Sequence, residues 1–110
     1  MPEYELTIGA DGDLQEIARY TIENWGLDQL DRYEAALEKH FNGIASRSVW
    51  TTTPLTHRPE LLSSRCEQHY VFSLSRDGKV PLILAVFHGS RDLMVRLKER
   101  LNEEGLESQV

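Results

Sequence analysis

His88 and Arg91 are the side chains that the sequence best places to meet a ligand or a reacting group. They stand in His88-Gly89-Ser90-Arg91-Asp92, directly after the apolar run of residues 82–87. An imidazole can give and take a proton near neutral pH. A guanidinium binds carboxylates or phosphates through two parallel hydrogen bonds. A plainer reading stands beside the chemical one: His88 bonds backbone at a strand end, and Arg91 faces solvent or pairs with Asp92. Arg58 and Arg65 flank a stretch that reads as an edge strand, where the bland alternative is two solvated arginines. His40 and His57 look incidental. Cys66 follows Arg65, whose charge favours a thiolate, but a lone thiol reads as inert. Glu16 with Glu23, and Glu34 with Glu38, read as solvated helix faces. The sequence holds no phosphate loop, metal-ligand cluster or nucleophile elbow, so neither a metal nor a cofactor is expected.

These residues need a scaffold, and residues 80–92 are its centre. An apolar run without alternation implies burial on both faces and hence a central strand, with Pro81 at its start. Upstream, Tyr4, Leu6 and Ile8 alternate with Glu3, Glu5 and Thr7, the period of a half-buried strand. Gly9-Ala10-Asp11-Gly12-Asp13 then reads as a turn into a helix, with Asp11 as N-cap. Leu14, Ile17, Ala18, Thr21, Ile22 and Trp25 share one helical face, and Gly26 closes the helix. Leu30, Tyr33, Leu37, Phe41 and Ile44 mark a second helix, so near the first that the two should form a hairpin.

The Thr-rich stretch of residues 46–59 reads as loop, with Trp50 anchoring it to the core. Residues 56–62 suggest a short strand that Pro59 restricts to an edge, and residues 67–75 a firmer one. Arg76-Asp77-Gly78-Lys79 reads as a tight hairpin turn into the central strand. A final helix over residues 92–104 carries Leu93, Val95, Leu97 and Leu101, capped by Ser90 or Asp92 and stopped by Gly105. The expected fold is α+β: an antiparallel sheet with an N-terminal helical hairpin on one face and a C-terminal helix. Residues 1–104 form one domain and residues 105–110 a flexible tail.

At 110 residues one modest core is the limit, and 40% hydrophobic with 27% charged residues is ordinary globular composition. The charge of -6 disfavours tight phosphate-backbone binding, and much of it lies on the hairpin. Met1-Pro2-Glu3-Tyr4-Glu5 is no signal peptide, and no apolar stretch approaches the ~20 residues of a membrane helix. With its single cysteine, a cytoplasmic location is expected.

Several segments resemble the ParE toxins of the RelE/ParE superfamily of bacterial toxin–antitoxin systems. They are Tyr4-Glu5-Leu6-Thr7, Asp13-Leu14-Gln15-Glu16-Ile17-Ala18-Arg19-Tyr20-Thr21, and above all Tyr20-Thr21-Ile22-Glu23-Asn24-Trp25-Gly26. Tyr33 and Leu37, Arg58-Pro59, His69-Tyr70-Val71-Phe72, and Val86-Phe87-His88 followed by Arg91-Asp92 continue the likeness in order. The resemblance implies a RelE/ParE-like fold and a toxin held inactive by a cognate ParD-like antitoxin. ParE-type members block DNA gyrase by binding, whereas RelE-type members cut messenger RNA on the ribosome. The second helix here is acidic and no tyrosine follows His88, which argues against the ribonuclease set.

The leading expectation is therefore a non-enzymatic gyrase poison without sequence-specific nucleic-acid binding of its own. Arg58, Arg65, His88 and Arg91 are its target-binding candidates, and Trp25, Leu30, Tyr33 and Leu37 its antitoxin-binding candidates. One alternative is a ribonuclease built on His88, Arg91 and Arg58. Another is a member that binds its antitoxin without toxicity.

Overall fold

In the computed structural model, which describes residues 3–89 and 92–106, the apolar run becomes one of the two inner strands of a four-stranded sheet. The elements are β1 (Glu5–Leu6), α1 (Ile8–Trp25), α2 (Leu27–Ala45), β2 (Leu61–Cys66), β3 (His69–Leu74), β4 (Leu82–His88) and α3 (Leu93–Glu103). The sheet order is β1-β4-β3-β2. β2, β3 and β4 are antiparallel, as expected, while the two-residue β1 pairs parallel to β4 and makes the sheet mixed.

β4 has no polar alternation because helices cover both of its faces. Ile83 and Val86 join Val71 and Cys66 under the hairpin, against Ala10, Leu37, Phe41 and Ile44. Leu84, Ala85 and Phe87 join Leu61, Phe72 and Leu74 on the other side, against Leu97 and Leu101 of α3. Each such aliphatic or aromatic side chain contributes ~1.5–3 kcal/mol of burial, so the sheet is clamped from both sides. The buried Ser73 lies at a register shift beside Phe72, where a small side chain fits the irregular ladder.

Several local expectations are corrected. Ile8 does not continue a strand. It opens α1, whose N-cap is Thr7 rather than Asp11, because the Thr7 hydroxyl accepts from the Ala10 N–H at 3.0 Å. Trp25 is 70% exposed rather than core, standing as the last residue of α1 beside the Gly26 that separates the two helices; Trp50, expected as an anchor, is 88% exposed. The edge strand starts at Leu61, just after Pro59, and runs to Cys66. The β3–β4 connection is longer than a two-residue turn: only Gly78 has positive φ there, and Arg76 holds the loop by donating to the Val80 carbonyl at 3.1 Å.

At the start of α3, Asp92 occupies the cap position in left-handed geometry with no side-chain cap bond, and Val95 is exposed while Met94 packs inward. Ser90, the other cap candidate, lies outside the described residues. Gly105, at φ +68°, stops α3 as expected. Leu106, expected in the tail, is packed against the core, its N–H donating to the Leu101 carbonyl at 2.8 Å, and residues 107–110 lie outside the described residues.

β1 ends before β4 does, which leaves β4 backbone groups at residues 84 and 86 without a strand partner. Side chains replace it. Asp13 accepts from the Val86 N–H at 2.9 Å, and both Thr7 Oγ1 and Arg100 donate to the Leu84 carbonyl, at 3.1 and 2.9 Å. Arg100 also grips Asp13 with two bonds of 2.8 Å, and both side chains are mostly buried. Its guanidinium lies so close to Gly9 that a Cβ there would stand 2.6 Å from Arg100 Cδ. Hence the glycine in the first turn of α1.

Breaking a buried pair by deleting one partner strands the other's charge. Asp13→Ala and Arg100→Ala should each lower unfolding free energy by ~3 kcal/mol. The double variant should lose clearly less than the sum, as coupled partners do. Urea unfolding of the three variants checks this; additive losses would show that the pair does not act as a unit.

Candidate functional site

The predicted cations do not form one patch. Arg58 lies just before β2, at the sheet end where Leu61, Leu74 and Leu82 align. It donates to Glu60 at 3.0 Å and to the Leu106 carbonyl at 2.9 Å, so it fastens the segment after α3. His88 lies at the opposite sheet end, in the row Cys66–His69–His88. Arg65 is near that end but belongs to the row of Tyr70 and Phe87. There it packs over the Tyr70 ring at 5.4 Å, on the side facing α3. Arg91 lies outside the described residues.

The antitoxin-binding candidates divide as well. Leu30 and Leu37 are only 6% and 3% exposed, so they support the hairpin from inside and present no surface to a partner. Trp25 is open to solvent, and Tyr33 is half-buried. Exposed Tyr20, Ile22 and Leu27 surround Trp25 in sequence at the hairpin's tip.

What the structure does bring together is a groove of about 770 Å³ between the hairpin and the ends of β3 and β4. Ile17, Tyr20, Trp25 and Tyr33 line its helical wall, with Gln68, His69, His88 and Arg96 opposite. The Tyr33 hydroxyl is hydrogen-bonded to His69 Nδ1. The His69 and His88 rings meet edge to face, with centroids 5.4 Å apart. Burial, and next the facing His88, hold the His69 imidazole down at about 4, against a smaller opposing pull from Asp13. Burial foremost, with Cys66 and Glu67 adding to it, pushes the Tyr33 phenol well above its ordinary value. At neutral pH the pair is thus an uncharged imidazole on a protonated phenol.

Sequence reasoning did not single out His69, Tyr33's bond to it, or Arg96, whose guanidinium covers the Phe87 ring at 4.2 Å. The available signal was the spacing from Cys66 to His69, which allows a two-residue turn at Glu67-Gln68 and fixes the register. That turn carries no glycine, and Glu67 takes φ +56°.

A second open depression holds His40, bonded through Nε2 to Ser64 Oγ at 2.9 Å, beside Cys66. Burial lowers the His40 pKa and raises that of the Cys66 thiol, to which Glu67 also contributes, so neither is primed for nucleophilic work. Among the described residues no group of three histidine, cysteine, aspartate or glutamate side chains is arranged to hold a metal, and no helix is long and apolar enough to cross a membrane.

The model of the family described as "ParE toxin of type II toxin-antitoxin system, parDE" matches residues 4–93. The chain belongs to the ParE toxin family. It is similar to Toxin ParE of Escherichia coli, at 42% identity over 101 residues that span 92% of this chain and 98% of that relative. The family match takes in the hairpin, the whole sheet and nearly all the groove, and stops at the first residue of α3. As a ParE toxin of a type II system, the chain has an antitoxin as its partner.

The groove gives a pH prediction. His69 titrates near 6.5 when unfolded and about 4 when folded, so the folded chain binds fewer protons in between. Its contribution is therefore complete above about pH 6.5 and is lost as pH falls towards 4, by at most ~3 kcal/mol. His69→Phe removes this titration. Urea unfolding across that window should fall more steeply with acid for the wild type than for His69→Phe, and equal slopes would contradict the assignment.

Proposed function

We propose that this toxin acts by binding, that its target is DNA gyrase, and that a ParD-like antitoxin neutralises it by covering the helical hairpin and the adjoining groove. The observation that carries the reading is family membership across the whole scaffold. The site's chemistry is in keeping with it. General acid–base catalysis needs a group able to exchange a proton near the working pH. His69 is held neutral and bonded to Tyr33, Arg58 is occupied with Glu60 and Leu106, and His88 is the exposed imidazole of the pair. A surface with Trp25, Tyr20, Ile22 and Leu27 exposed suits recognition, since aromatic side chains dominate binding energy at interfaces. An antitoxin segment that orders on binding can cover such an extended surface, at some cost in entropy.

The ribonuclease reading makes the opposite demand on His88. Induced in bacteria, a gyrase poison should give filamentous cells with DNA-damage signalling while protein synthesis continues. A ribosome-dependent nuclease should halt translation within minutes, with messenger RNA cuts that His88→Ala abolishes. We expect the first pattern, and co-expression of the cognate antitoxin should suppress it. Early translation arrest with His88-dependent cuts would overturn the reading.

A further inference from the structure

We propose that His69 and His88 form a two-histidine site for a divalent transition metal, with zinc as the ion it takes, on the floor of the groove beneath the hairpin. The two residues are direct partners in the β3–β4 ladder, on neighbouring antiparallel strands. Opposite residues of such a ladder carry Cβ atoms about 4.5–5.5 Å apart on one face of the sheet. That places two imidazoles where one ion, with metal–nitrogen bonds of about 2.0–2.1 Å, can take a nitrogen from each. The rings already lie with centroids 5.4 Å apart, and the exposed His88 can turn about its side-chain bonds to close on an ion.

Tyr33 supplies what a ligating histidine needs behind it. A metal-bound imidazole donates its second ring N–H to an oxygen acceptor, which fixes both tautomer and ring orientation. In the tautomer where His69 donates Nδ1–H to the Tyr33 hydroxyl, its Nε2 lone pair is left for an ion. Imidazole nitrogen selects zinc, copper or nickel over magnesium and calcium, which prefer oxygen. The groove carries Asp13, Glu16 and Glu67 against Arg96, a balance that favours a dication even with Asp13 engaged by Arg100. No third histidine, cysteine, aspartate or glutamate completes a set among the described residues, so water fills the remaining positions. Two histidines with open positions make a moderate, reversible site, not a structural one.

Isothermal titration of zinc chloride into the purified full chain at neutral pH tests this. One equivalent should bind saturably. His88→Ala, at an exposed position and checked for unchanged thermal melting, should weaken binding at least tenfold. Tyr33→Phe should weaken it about tenfold, the usual effect of losing such an orienting partner. His57→Ala, at the far end of the sheet, should bind as the wild type does. Absence of a saturable one-to-one site in the wild type, or undiminished binding by folded His88→Ala, would overturn the proposal.

Discussion

The grip of Arg100 on Asp13 and on the edge of β4 is the constraint from which the rest of this fold follows. A central strand flanked by a two-residue neighbour leaves backbone groups with no ladder to join. Buried and unpaired, each such group costs ~1–3 kcal/mol. Thr7, Asp13 and Arg100 supply the missing partners from three different segments. One cluster thereby fixes the entry of α1, the line of β4 and the pose of α3. The bond to Asp13 also holds the Arg100 guanidinium firmly in its charged form. The Glu104 carboxylate adds a tie from the end of α3 to the Gly9 N–H at 2.8 Å.

That clamp sits beside the groove and shares residues with it. Asp13 lines the groove while holding Arg100, and Phe87 carries Arg96 on its ring with Arg100 5.2 Å away. The groove's floor is the end of two strands whose register the Glu67-Gln68 turn sets. Its far wall is the hairpin, seated on the sheet by Leu37, Phe41 and Ile44. The side chains that line the groove therefore stand on rigid elements rather than on long loops, which leaves them preorganised.

The sequence made the scaffold legible where one physical signal dominated. The apolar run gave a central strand because burial on both faces removes alternation, and the spacing of Leu30, Leu37, Phe41 and Ile44 gave the buried stripe of α2. It misled where two signals share a residue type. Gly9 and Gly12 look like a turn, yet both lie in α1, and Gly9 is a glycine because Arg100, ninety-one positions away, needs the space of a side chain there. Trp25 and Trp50 look like core, but Trp25 ends α1 at the hairpin's tip and Trp50 stands in the loop between α2 and β2, and both are exposed. The site itself was hidden for a related reason. His69, His88 and Tyr33 are far apart in the chain, and only the strand register and the seat of the hairpin bring them together. Arg58 and Arg65, near one another in sequence, fall at opposite sheet ends.

We propose that this ParE-family chain works as a binder on gyrase and not as a catalyst. Supercoiling by purified DNA gyrase, titrated with the purified toxin, tests this most directly. A binder inhibits in proportion to its amount and reaches full effect at a roughly equimolar ratio, and added antitoxin restores activity. Gyrase that keeps supercoiling in excess toxin, while the same preparation cuts messenger RNA on ribosomes at far below equimolar amounts, would contradict the account.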